Sequence, residues 1–138
     1  MKFTLRKHEI IRSKKEVQEV INSGKKFKGE YILFYVLVRK KEDNNSASSG
    51  NIPWKVVFLV GKKRIKKAVQ RNKIKRYLRE LFRLNKHRIL PYIQDSEVFH
   101  IAAIWKGNIV PEYKVFVTEM ERFLYWLKNL NQNYNKTE

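Results

Sequence analysis

Two apolar runs, at residues 54–60 and 98–105, are separated by a stretch whose apolar residues return at helical spacing, and this limits the fold more than any other feature. WKVVFLV and VFHIAAIW read as strands, the second so continuously apolar that helices are expected to cover it. Between them Ile74, Tyr77, Leu78, Leu81 and Phe82 form one stripe of a helix over residues 67–85. Strand, crossover helix and strand is the connection that parallel pairing requires. The expectation is a mixed α/β chain, an α+β sandwich in which helices pack on a single mixed sheet.

Ser13-Lys14-Lys15-Glu16 has the capping-box pattern, in which the hydroxyl and the Glu each satisfy a backbone N–H. It predicts a first helix over residues 12–24, with Val17, Val20 and Ile21 on one side and Gly24 as a left-handed cap. Residues 30–40 read as a strand with Tyr31, Leu33, Tyr35 and Leu37 on one face and Ile32, Phe34, Val36 and Val38 on the other. EDNNSASSGNIP, residues 42–53, reads as a flexible loop without chemistry. Pro111 and Glu112 open a last helix over residues 112–130, lined by Phe116, Met120, Phe123, Leu127 and Leu130, with Glu119 and Glu121 on its exposed side and a polar, frayed tail beyond. With 43% hydrophobic residues, the 138 residues are expected to form one domain that buries roughly two thirds of its unfolded surface.

Charge narrows the partner. Residues 61–88 hold thirteen of the 31 Lys and Arg against one acid, Glu80, in a chain of net charge +18. A solvated helix would alternate Glu with Lys; a field this local asks for a polyanion. On a helical wheel Asn72, Lys75, Arg76, Arg79 and Arg83 lie opposite the apolar stripe, and residues 72–83 span about 16 Å. Arginines there present forked donors to phosphate, with Lys62, Lys63 and Lys67 as mobile charges in the preceding loop. A DNA recognition helix normally follows another helix across a tight turn, and here a strand comes first. A membrane-surface helix needs bulky apolar groups beside its cations, and this one needs its stripe for the sheet. RNA is the polyanion that fits.

Other classes are excluded residue by residue. Without cysteine there is no disulfide, zinc ribbon or thiol catalysis, and three scattered histidines make no metal site. His8 and His87 read as surface groups, His100 as a satisfied core histidine and Glu80 as a partner of Arg79 and Arg83; no catalytic acid–base pair emerges. Trp54, Trp105 and Trp126 read as core or core edge, whereas Tyr31 and Tyr35 offer rings on which a base can stack. No run reads as a signal peptide or membrane span, so the expected location is the cytoplasm, with no membrane partner.

AVQRNKIKRYLRE closely resembles the Arg-Asn-Arg motif of the protein component of bacterial ribonuclease P. VGKKRIKKAV is similar to that family's strand-to-helix lead-in, and LRKHEII with GKKFKGEYILFYV to its first helix and first strand, so the resemblance runs to about Leu130. It implies a ribosomal-protein-like fold whose left-handed βαβ crossover, against the usual rule, presents the basic helix to RNA. It further implies the protein subunit of a ribonucleoprotein endoribonuclease that removes the 5′ leader of precursor tRNA. Catalysis would reside in the RNA subunit, which would hold most of the Mg2+, and no further protein partner is required.

Carried onto this chain, the resemblance assigns Arg71, Asn72, Lys73, Lys75, Arg76 and Arg79 to the catalytic RNA, with Lys62, Lys63 and Lys67 beside them. It implies a leader cleft between the first helix and the open sheet face, with Tyr35 at an aromatic position, Tyr31 near it and Arg12, Lys14 and Lys15 at the mouth. The chain departs from the pattern at Val17 and Ile21, where the family often has Phe, and at Lys73, where it has Arg. Aliphatic groups pack under a base without the π overlap that is worth about 1–3 kcal/mol per base. A structural ribosomal RNA-binding protein without a catalytic partner is the alternative that the same composition serves.

Overall fold

Among the residues that the computed structural model describes, 5–41 and 53–136, four strands form one sheet in the order β1-β2-β4-β3. They are β1 (Lys25–Lys28), β2 (Ile32–Lys40), β3 (Trp54–Val60) and β4 (Glu97–Trp105). β2 pairs antiparallel with both β1 and β4, whereas β3 and β4 are parallel. The helices are α1 (Lys14–Ser23), α2 (Ala68–Ile89) and α3 (Tyr113–Lys136), and α2 makes the expected crossover between β3 and β4. β3 matches the range read from the sequence; α2 and α3 run past their expected ends, and the loop reading of 42–53 falls, apart from Pro53, outside the described residues.

α2 and α3 cover one sheet face. Ile32, Phe34 and Val36, with Trp54, Val56 and Phe58 and with Phe99, Ile101, Ala103 and Trp105, close on Ile74, Leu78, Leu81 and Phe82 of α2 and on Phe116, Met120, Phe123 and Leu127 of α3. Phe34 stacks on Phe123 at 4.2 Å between ring centroids, and Trp105 on Phe116 at 4.9 Å. Each such fully buried side chain contributes about 1.5–3 kcal/mol, which is why α2 must turn its apolar stripe inward and its cations out. On the other face, α1 seats Val20 on Ala102 together with Ile11, with Val17, Tyr35, Leu37 and Val57 around them. Ala102 is in register with Tyr35 and Val57, and its single methyl lets α1 approach the sheet closely.

Four local readings change. Ser13 does cap α1, accepting from Glu16 N–H at 3.4 Å, but Gly24 is extended at φ −74 and ψ 157, not left-handed. Glycine is needed there because a Cβ would run into the Val20 carbonyl and the Val36 backbone. Residues 25–28, outside the expected strand over 30–40, are the edge strand β1; Lys26 and Lys28 pair with Tyr35 and Leu33, and Phe27 turns to the helical face beside Phe34. Tyr31 does not share a face with Tyr35: it sits at a bend before β2 and stacks on Trp105, 5.7 Å and 12° away, on the α2–α3 side. Glu119 is not exposed. It is 2% accessible and accepts backbone N–H bonds from Glu30, Tyr31 and Ile32, pinning the chain between β1 and β2.

The segment before α1 runs along the outer edge of β3. Ile10 forms a parallel bridge with Val56, and Ile11 N–H donates to the Val56 carbonyl at 2.8 Å. Glu9, nearly sealed from solvent, accepts from the Trp54 indole and pairs with Lys86 at 2.7 Å. Burial alone would raise the Glu9 carboxyl; the hydrogen bonds from Lys86, the Arg6 N–H and Trp54 together hold it below the ordinary carboxylate value.

Candidate nucleic-acid interface

The lead-in to α2 is a turn in which the N–H groups of Arg64 and Ile65 each donate to the Gly61 carbonyl at 3.2 Å. Ile65 is buried and anchors it, while Lys62, Lys63 and Lys67 stand exposed around that anchor. Arg71 reaches back from the first turn of α2, donating to the carbonyls of Ile65 at 2.9 Å and Lys66 at 2.7 Å. Its guanidinium therefore faces its own chain and fixes the angle at which the lead-in meets the helix.

Asn72, Lys75, Arg76 and Arg79 come together. With Ile10, Val57 and Phe58 they line a hollow of about 390 Å³ where α2 meets the edge of β3. All four are exposed, and among the described residues none of the three cations pairs with a carboxylate. Uncompensated charge facing a shared concavity attracts anions. Lys73 lies on another flank, its Nζ 5.7 Å from the centre of the Tyr77 ring. Arg83 corrects the expected row: it is half-buried and ion-paired with Glu80, its Nε donating at 3.0 Å. That contact lowers the Glu80 carboxyl and raises the Arg83 guanidinium, so the uncompensated face ends at Arg79.

The second expected site, the leader slot, falls on the opposite sheet face. Tyr35 and Val17 are partly exposed there, packed against the small cluster of Ile11, Val20 and Ala102 under α1; Ile21 is also partly exposed. Arg12, Lys14 and Lys15 are exposed at the start of α1, where the helix dipole disfavours cations by about 0.3–1 kcal/mol, so helix stability does not account for them. Tyr31, on Trp105, is not in this slot. Val57 belongs both to the cluster beneath α1 and to the hollow beside α2. Slot and hollow thus adjoin across β3, a relation that no sequence periodicity reveals.

The histidines lie on separate elements among the described residues. His8 and His87 are exposed, and His100 is buried on the α1 side, its pKa pushed down to about 4 first by burial and then by Arg39, with Glu16 opposing. His100 is neutral near neutral pH, yet it is not satisfied: among the described residues its Nδ1 has no hydrogen-bond partner. Among the described residues no three His, Cys, Asp or Glu side chains group as a metal site. Lys26 and Lys28 also lie on the slot face, in register with Tyr35 and Leu33.

The family model described as Ribonuclease P matches residues 5–125. The ribonuclease P protein component of Chlorobaculum tepidum is 36% identical over 133 residues, covering 91% of this chain and 81% of that protein. That of Chlorobium phaeobacteroides is 30% identical over 131 residues, covering 88% and 86%. Among solved structures, the RNase P protein of Staphylococcus aureus superposes with a TM-score of 0.65 at 22% identity, over 87% of this chain and 95% of that one. That of Thermotoga maritima gives 0.60 at 26% identity, over 84% and 94%. These matches favour ribonuclease P over a structural ribosomal protein. A family match across most of the length, relatives of nearly equal extent and a common fold all agree: the chain belongs to the ribonuclease P protein component family.

Proposed function

We propose that this chain, as the protein subunit of ribonuclease P, binds the catalytic RNA through the hollow beside α2 and the 5′ leader of precursor tRNA in the slot beneath α1. The observation that carries the reading is the convergence of Asn72, Lys75, Arg76 and Arg79 on one hollow without a carboxylate partner among the described residues. Lys62, Lys63 and Lys67 extend that face, and Arg71 sets its angle. Cleavage of the phosphodiester and the magnesium it requires belong to the RNA subunit; the protein's cations offset phosphate repulsion that metal ions would otherwise have to screen. Tyr35 gives the leader a ring to stack on, and Arg12, Lys14 and Lys15 draw in its phosphates. The working compartment is the cytoplasm, and no other protein is needed.

The test is reconstitution with the catalytic RNA of the same organism. At low magnesium the protein should restore precursor cleavage and tighten binding of precursor over mature tRNA. Absence of both effects, with the RNA active at high magnesium, would remove the reading.

A further inference from the structure

The two outer edges of the sheet differ. β3 is lined by the segment at Ile10 and Ile11, whereas among the described residues nothing pairs with the outer side of β1. Gly29 N–H donates to the Ile32 carbonyl at 2.9 Å, which makes Gly29 and Ile32 a hydrogen-bonded pair. Such pairs alternate along an antiparallel ladder, so Phe27 bonds with Phe34, while Lys26 and Lys28 turn their N–H and C=O groups outward. The strand that carries these groups is held firmly. Glu119 of α3 accepts three N–H groups from the chain just after it, and the Phe27 ring sits among Phe34, Phe123 and Trp126 at 5.5–6.4 Å.

Beside Phe27 a groove of about 590 Å³ opens between β1 and α3, lined by Phe27, Thr118, Arg122, Tyr125 and Trp126. Among the described residues none from β2 lines it, so the groove lies outboard of β1. Tyr125 is 69% exposed, and a large ring left in water beside an open apolar groove marks a contact surface. The charge around it is positive. Lys25, Lys26 and Lys28 are exposed and, among the described residues, have no carboxylate partner. The nearby acids are already matched, Glu30 to Arg122 at 3.7 Å and Glu121 to Arg88 at 2.9 Å. A second copy paired antiparallel about Phe27 would set lysine against lysine, which disfavours it. An acidic chain would turn the same lysines into partners.

We propose that β1 is a docking edge for an extended acidic segment of another protein, which adds as a fifth strand, lays an apolar side chain against Phe27 in the groove and sets carboxylates against Lys26 and Lys28. Because side chains alternate along a strand, the recognised pattern is acidic, apolar, acidic. This docking is separate from precursor cleavage. It is tested on the full chain with short peptides of equal length: Glu and Leu alternating, the same residues in two blocks, and Lys and Leu alternating. The first should bind, weaken with salt and slow hydrogen exchange at the Lys26 and Lys28 amides. The other two should bind at least about tenfold more weakly. Lys28→Pro removes an outward donor at an edge position that tolerates proline, and Tyr125→Ala trims the groove; each should weaken the first peptide about tenfold. Tyr125→Ala should leave precursor cleavage by the reconstituted holoenzyme unchanged. If Lys28→Pro fails to fold, Tyr125→Ala and the exchange pattern decide. No binding, equal binding of blocked and alternating peptides, or binding indifferent to Tyr125→Ala would overturn the proposal. So would an RNA oligomer of equal charge that protects the same amides with the same loss in Tyr125→Ala, or self-association through this edge in sedimentation.

Discussion

The Arg71 guanidinium and the Ile65 carbonyl are 2.9 Å apart, and the same nitrogen reaches the Lys66 carbonyl at 2.7 Å. A residue that the motif marks as an RNA contact is thus a brace for the loop that carries Lys62, Lys63 and Lys67. Arg71→Lys keeps the charge and loses the two-carbonyl clasp. Affinity for the catalytic RNA should fall by about 1–2 kcal/mol with the salt slope unchanged, measured by titration across ionic strengths. A shallower slope would mean that Arg71 contacts phosphate directly.

Arg76 makes the opposite case, being exposed on the hollow without a carboxylate partner among the described residues. Arg76→Ala should weaken catalytic-RNA binding and reduce the slope of log affinity against log salt by about 1, the signature of one lost phosphate contact. Arg83→Ala, which removes a cation already paired with Glu80, should change the slope much less.

Tyr35 is in register with Lys26 and Ala102 on the slot face. Tyr35→Leu should cost about 1–3 kcal/mol in affinity for precursor tRNA and leave mature tRNA almost unaffected. Conversely, Ile21→Phe restores an aromatic at a position where this chain is aliphatic and should tighten precursor binding by about 1 kcal/mol. Parallel changes for precursor and mature tRNA would show that neither side chain meets the leader.

Glu9 supplies a pH prediction. Its carboxyl lies below the ordinary value of 4.5, so its contribution to stability is fully present above that value and is lost as pH falls through the depressed folded value. Glu9→Ala should lower stability near neutral pH by about 3 kcal/mol, because the Trp54 indole and the Lys86 ammonium lose their shared acceptor. Urea unfolding of both proteins at descending pH should show the two curves converging in acid. A gap that stays constant with pH would count against the assignment.

Periodic burial was legible in advance, and long-range polar contacts were not. The stripe from Ile74 to Phe82, the two strands that α2 connects and the N-terminal cap at Ser13 follow from local spacing, because apolar area decides which way an amphipathic helix turns. β1 was missed because three of its four residues are lysines, so pairing with β2 makes it a strand, not intrinsic preference. Tyr31 was misplaced by carrying strand alternation back through a bend. Glu119 could have been found: it falls three residues after Phe116 and four before Phe123, inside the apolar stripe, where a carboxylate is tolerated only with dedicated donors. Glu9 left no such trace, since its side-chain partners, Trp54 and Lys86, lie far along the chain.

Ile10 has two neighbours of different kinds: it bridges to Val56 on the free side of β3, and it lines the hollow with Arg76 and Arg79. A bare strand edge is a template on which another chain can add, and this short stretch of backbone occupies that template. Resistance to self-association and the shape of the proposed RNA-binding hollow are consequently properties of the same few atoms. Trimming the segment ahead of α1 would make the protein stickier toward itself and poorer toward its RNA in a single step.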